Sequence, residues 1–318
     1  MLLTPPKFHR KMKSENNKKD ENKKVCCPKC NAEKVKKRGF RKTANRKQIQ
    51  RYECKECRHA FVLDDGFWKM KNHENKITAC MNLYYSGMSL RKIQSHLQMF
   101  MPKNSHYSTI YRWLIKYSEI ISQVTDRLQI ENGKELQSDE MEYKRLGKQN
   151  WFVDVMDTDT RFIVASDYME SRTLDNMTKV LKKGRKTITK PLSIITTDGL
   201  KGYPRILRRS FGIDKNYGNF SNRKSQSNIK HNIVIASERG FNHKIERLHG
   251  NIRDRTKIMR GFHGSLYSAR AIMKGFEIYY NYVRKHQGIE NKTPQQEAMP
   301  LLDLGVNKWL TLIRLSKL

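Results

Sequence analysis

Acidic residues are in short supply: 31 Asp and Glu stand against 64 Lys and Arg in 318 residues, a formal net charge of +33. A surplus that large repels itself in a compact fold and calls for a polyanionic partner. Nucleic acid fits best, because each neutralised phosphate releases counterions; a ribosomal-type structural role or an acidic membrane surface is the blander use of the same charge. Long apolar runs are missing as well. No stretch of about 18 such residues exists, so no membrane-spanning helix is expected. The opening MLLTPPKFHRKMKSENNKKDENKK turns basic after too short an apolar stretch for a secretory signal. Cysteine is sparse, with six residues, mostly paired near the N-terminus. That usage suits metal binding in a reducing compartment better than disulfides. The expectation is a cytoplasmic, nucleoid-associated protein.

Composition divides the chain. Residues 1–24 are Lys- and Asn-rich with little to bury and read as a disordered basic tail. A cysteine module follows over 25–66, a helical module over 67–122, a polar linker over 123–133, an alternating strand and helix region over 134–298, and a tail with a final apolar helix over 299–318. No internal repeat is visible.

In the cysteine module, Cys27-Pro28-Lys29-Cys30 and Cys54-Lys55-Glu56-Cys57 form two CxxC turns. Each turn lets two thiolates face one ion, and the pair completes a tetrahedral site for one structural Zn2+, as in a zinc ribbon. Cys26 adjoins Cys27 and either could serve; Cys80 lies on an apolar helix face and reads as core. In the helical module, Ser89 is a good N-cap for LRKIQSHLQ, and Ser105 or Ser108 starts a helix whose Ile110, Trp113, Leu114 and Tyr117 share one face. Three short helices with a Gly-containing turn resemble a helix-turn-helix, with His106, Tyr107, Thr109, Arg112 and Lys116 as candidate DNA contacts.

Over 134–298 three segments carry chemistry. ELQSDEMEY reads as a strand through Asp139, followed by a turn at Leu146-Gly147-Lys148, a strand WFVDVM and a strand RFIVASDYM, an antiparallel meander. PLSIITTDG reads as a buried strand with Asp198 at its carboxyl end, where open α/β sheets bind ligands. HNIVIAS is a last short strand before the helix FNHKIERLHGNIRDRTKIMRGF. At about 100° per residue, Asn242, Glu246, His249 and Arg253 line one side of that helix, and Ile245, Leu248 and Ile252 form a separate stripe. Carboxylates suit phosphodiester chemistry, because hard Mg2+ or Mn2+ takes oxygen ligands and keeps positions open for phosphate and water.

The runs TTDGLKGYPRIL, IERLHGNIRDRTKIMRGF and YYNYVRKHQGIENKTPQQEA resemble the insertion-sequence DDE transposases, relatives of retroviral integrases. The resemblance implies an α/β, RNase H-like core with a five-stranded mixed sheet and flanking helices, and an upstream zinc ribbon and helix-turn-helix are usual in such elements. It implies that Asp139 (in a DE pair with Glu140), Asp198 and Glu246 hold two Mg2+ or Mn2+ ions, supported by Asn242, His249 and Arg253, with Lys201 and Arg260 as DNA-backbone contacts. Asn281, His286 and Thr293-Pro294 match further family elements, structural or DNA-facing. The implied activity is metal-dependent nicking of double-stranded DNA at transposon ends and 3'-hydroxyl strand transfer into target DNA, by a homo-oligomer of at least two chains. An RNase H-like nuclease or resolvase, or a non-catalytic DNA-binding regulator, is the alternative. Two departures stand out: the stretch between Asp198 and Glu246 is longer than in several such families, and Met141 stands where a Thr is expected, with Asp154 the substitute for Asp139.

Overall fold

The computed structural model describes residues 25–43, 47–100, 105–213, 229–234, 243–256, 259 and 261–317. The expected basic tail, most of the polar stretch before Glu246, Asn242 and Arg260 lie outside these.

The cysteine module is a three-stranded antiparallel sheet of β1 (Val35–Thr43), β2 (Lys47–Cys54) and β3 (Ala60–Val62). Between Lys37 and Phe40 the register shifts, where Gly39 (φ 72°) takes a left-handed conformation that L side chains avoid. β1 is exposed on both faces, so its anchorage lies in its pairing with β2 and in the cysteine turns at its foot.

Three helices follow: α1 (Glu74–Ser86), α2 (Leu90–Phe100) and α3 (Tyr107–Thr125). Gly87 (φ 131°) closes α1, and Ser89 caps α2 by accepting from Lys92 N at 3.3 Å. The cap of α3 is His106, whose Nδ1 accepts from Ser108 N at 3.4 Å, rather than either serine. The expected apolar face of α3 is buried, and it continues through Ile121, so the helix runs into the stretch read as a linker. The reason is tertiary: α3 packs along α7 (Leu266–Ile278), where Tyr85 Oη meets Ser118 Oγ at 3.0 Å and the Tyr85 and Phe276 rings lie 5.1 Å apart. A Cβ at Gly275 would sit 1.8 Å from Tyr85 Oη, so glycine permits that approach. The final helix α9 (Lys308–Leu315) returns to the same place, with Trp309 stacked on Tyr85 at 5.5 Å. The helical module and the core therefore share one hydrophobic cluster.

The core sheet has the order β6-β5-β4-β7-β8, with β4 (Glu135–Glu142), β5 (Trp151–Asp157) and β6 (Ile163–Met169) antiparallel, and β7 (Ile194–Thr197) and β8 (Lys230–Ile233) parallel to β4. The hairpin joining β4 to β5 turns at Leu146 and Gly147, both with positive φ, the geometry that matches strand twist. α4 (Leu174–Thr187) and α5 (Tyr203–Phe211) cover one face; α6 (His243–Thr256) and α7 cover the other. Along β5, side chains alternate accordingly: Val155 meets α4, while Asp154 meets α6. At the start of the edge strand β6, the Asn281 amide substitutes for a strand partner, accepting from Ile163 N and donating to Ile163 O, each at 2.9 Å. Thr293 forms a capping box with Gln296 on α8 (Pro294–Ala298), and buried His286 stacks edge-on against Tyr280. These three positions therefore serve the scaffold.

Candidate active site

The register of the parallel pair builds the site. Ser138 on β4 pairs with Thr197 on β7, so Asp139 and Asp198, one residue further along each strand, reach the same level at the carboxyl ends of adjacent strands. Glu140 joins them, and one carboxylate oxygen from each of the three lies within 4.8 Å of the others.

Each acid is fixed. Asp139 Oδ1 accepts from Glu140 N at 2.8 Å, and its Oδ2 lies 3.5 Å from His249 Nδ1. Asp198 Oδ1 accepts from Leu200 N at 3.0 Å, bracing the turn into α5. Glu140 accepts from Tyr203 Oη at 2.9 Å and from Arg172 at 2.6 Å, and the Arg172 guanidinium stacks on Trp151 at 4.0 Å. Burial pushes the Asp139 carboxyl up to about 7, against the opposing pull of His249. Glu140 is raised as well, by burial and by Asp198 beside it. Half-buried acids crowded together resist ionising unless a cation joins them. Hard oxygen donors at this spacing fit a divalent ion such as Mg2+ or Mn2+.

Of the expected triad, the structure brings Asp139 and Asp198 together. Glu246 sits exposed on α6, outside the carboxylate cluster. One turn further along, His249 is buried, with its Nε2 2.8 Å from Asp154 Oδ1. Asp154, the substitute for the first acid, is wholly buried and belongs to that histidine rather than to the cluster. Glu140 is the cluster member to which sequence reasoning gave no ligand role; its adjacency to Asp139 was the available signal.

Elsewhere, Arg253 and Lys201 are exposed. Around the start of α3, Arg112 is exposed and Tyr107 carries Arg91 over its ring at 5.4 Å, whereas Thr109 is half-buried. Lys116 is spent locally: its Nζ lies 3.4 Å from Met70 Sδ, and burial lowers its pKa. Cys27, Cys30, Cys54 and Cys57 form a second cluster, all four Sγ atoms within 4.8 Å of one another and the pairs Cys27–Cys57, Cys30–Cys54 and Cys30–Cys57 at 3.4 to 3.6 Å. A zinc tetrahedron with Zn–S bonds of about 2.3 Å has edges of roughly 3.8 Å, so this set could hold the ion. Cys26 is exposed and outside the cluster, whereas Cys27 is buried within it.

The integrase core domain family matches residues 227–294, the segment that runs from β8 through α6 and α7. No curated protein matches the chain. Similar solved structures include the HTLV-2 integrase catalytic core domain in complex with magnesium, 16% identical over 53% of this chain and 97% of that one, TM-score 0.37. A simian T-cell lymphotropic virus intasome in complex with PP2A regulatory subunit B56 gamma is 14% identical over 65% and 73%, TM-score 0.38. The Drosophila P element transposase strand transfer complex is 14% identical over 54% and 42%, TM-score 0.33. The strand order and the matched segment carry the fold assignment.

Proposed function

We infer that the chain is a DDE transposase of the RNase H-like, integrase-core superfamily, a polynucleotidyl transferase that cuts DNA at transposon ends and joins the exposed 3'-hydroxyl to target DNA. The observation that carries this is the meeting of Asp139 and Asp198 at the ends of two adjacent parallel strands, in a protein of net charge +33. Arg172 pairs with Glu140 and His249 lies 3.5 Å from Asp139, yet a carboxylate oxygen of Asp139 and one of Asp198 still lie within 4.8 Å of each other.

Asp139 and Asp198 supply the metal ligands, with Glu246 as the third, assigned from the resemblance and from its place in the matched segment. Two bound Mg2+ or Mn2+ ions would ease deprotonation of the attacking oxygen and neutralise the leaving one. The chain's own part is to hold the phosphate beside these acids: exposed Arg253 and Lys201 are suited to that. His106, Tyr107, Thr109 and Arg112 contact the duplex at the start of α3, and Cys27, Cys30, Cys54 and Cys57 hold one structural zinc. Bringing two transposon ends together requires at least two copies of the chain. No helix among the described residues is long and apolar enough to cross a membrane, and we place the protein in the cytoplasm, on DNA.

The test is nicking and joining of duplexes carrying the ends of the encoding element, with Mg2+ or Mn2+. The wild-type chain nicks and then joins; Asp198→Ala does neither, by at least about a hundredfold. Equal cutting by that variant refutes the site. Nicking without any joined product from pre-nicked ends favours the nuclease or resolvase reading.

A further inference from the structure

In the strand WFVDVMD, Asp154 stands fully buried with Val153 and Val155 on either side. Burying a carboxylate costs several kcal/mol unless something holds it. What holds Asp154 is His249, 2.8 Å away through Nε2. That ring is itself only 3% exposed, and its second nitrogen, Nδ1, faces Asp139 Oδ2 at 3.5 Å. The cross-strand register explains the alignment: Asp139 on β4 pairs directly with Asp154 on β5, so the two carboxylates leave the same face of the sheet, with the imidazole from α6 lying over both.

We propose that Asp154 and His249 are positioning residues that orient the Asp139 carboxylate for metal binding, the proposal resting on the reading of Asp139 as a metal ligand. Three features of the geometry favour this over a polar patch that only stabilises the core. The chain has a direction: it starts deep in the sheet and ends at the acid that faces Asp198. It satisfies Asp154 incompletely, since Oδ2 has no hydrogen-bond partner among the described residues, whereas a purely stabilising buried carboxylate is expected to have both oxygens bonded. And it sets beside the Asp139 carboxylate an imidazole whose other nitrogen is held by a second carboxylate, the kind of arrangement by which outer groups set the aim of metal ligands. His249 thus supports Asp139, a role different from support of Glu246 or of phosphate.

The experiment uses the full-length, zinc-loaded chain and Mn2+ alone as the probe, with free Mn2+ counted by electron paramagnetic resonance. Asp154→Asn keeps the shape and is expected to fold, as a thermal melt will report, while weakening Mn2+ binding by about tenfold. Strand joining then loses kcat at fixed Mn2+, regains much of it at high Mn2+, and keeps its KM for DNA. His249→Gln is expected to weaken Mn2+ binding similarly, and the double variant to be no worse than either single one, because both act along one chain of contacts. A folded Asp154→Asn protein with wild-type Mn2+ affinity overturns the proposal. If Asp154→Asn does not fold, His249→Gln alone decides: unchanged affinity overturns the proposal, and a tenfold loss with KM preserved supports it. Asp198→Ala separates this from the underlying reading. Loss of Mn2+ binding there, with none in Asp154→Asn, removes only the positioning role; full binding in Asp198→Ala removes the metal site itself.

Discussion

In the described part of residues 25–62 the buried side chains are Cys27 and Cys54, and β1 lies open to solvent on both faces. The five-stranded core, by contrast, buries Leu136, Val153, Val155, Ile163 and Ile195 between helices on both faces, and is continuous with the packing of α1, α3 and α9. Both regions are small sheets, but they draw on different sources of stability. A three-stranded sheet with almost no apolar interior does not offset its own chain entropy, so the zinc proposed for its four thiols is what would have to stabilise the cysteine module. The core needs none for its fold, and its acids are free to be arranged for chemistry instead of stability.

Zinc removal should break that comparison most visibly. Structural zinc sites in finger peptides are worth about 10–16 kcal/mol, so a strong chelator, or Cys54→Ser, should abolish amide protection across β1 to β3 while leaving β4 to β6 protected, as hydrogen exchange will read. Persistent protection in the zinc-free ribbon would mean that it has a source of stability unseen here. Next in size is a core truncation. Leu136→Ala on β4 should cost about 2–5 kcal/mol in chemical denaturation, with the ribbon's zinc content unchanged; a change under about 1 kcal/mol would mean the core is looser than its burial indicates. Asn281→Ala leaves Ile163 N and O without their clamp and should cost roughly 1–3 kcal/mol, with faster exchange starting at the β6 edge. Exchange unchanged at Ile163 would show that the amide is dispensable. A pH-dependent effect concerns His286, which burial holds down to about 4. A histidine depressed in the fold contributes stability that is present above its unfolded value of about 6.5 and lost as the pH falls toward 4. The thermal midpoint should therefore drop over that window, and less steeply in His286→Gln; identical slopes would discard the assignment.

Much of this architecture was legible in the sequence because local signals agreed with the global fold. The CxxC turns, the alternation in ELQSDEMEY and WFVDVM, and the strand ending in TTDG each report on a few neighbouring residues, and each element formed where expected. What stayed hidden depends on partners distant in sequence. The extension of α3 into the start of the expected linker is set by α7, and the return of α9 onto Tyr85 spans most of the chain. The pairing of Asp154 with His249 requires knowing the β4–β5 register and the seat of α6 together. Lys116, a candidate DNA contact by its place on the last helix of the module, lies half-buried with its Nζ beside Met70, a neighbour 46 residues away that local spacing does not reveal. The motif points to Glu246, whose exposed position on α6 follows from where Ile245 and Leu248 bury that helix.

The central claim is that Asp139 and Asp198 grip a divalent ion, and the most direct measurement is an anomalous difference map from crystals of the full chain grown with Mn2+. The account predicts a peak about 2.0–2.4 Å from a carboxylate oxygen of each. A map with Mn2+ bound elsewhere and no density between these two acids would contradict it.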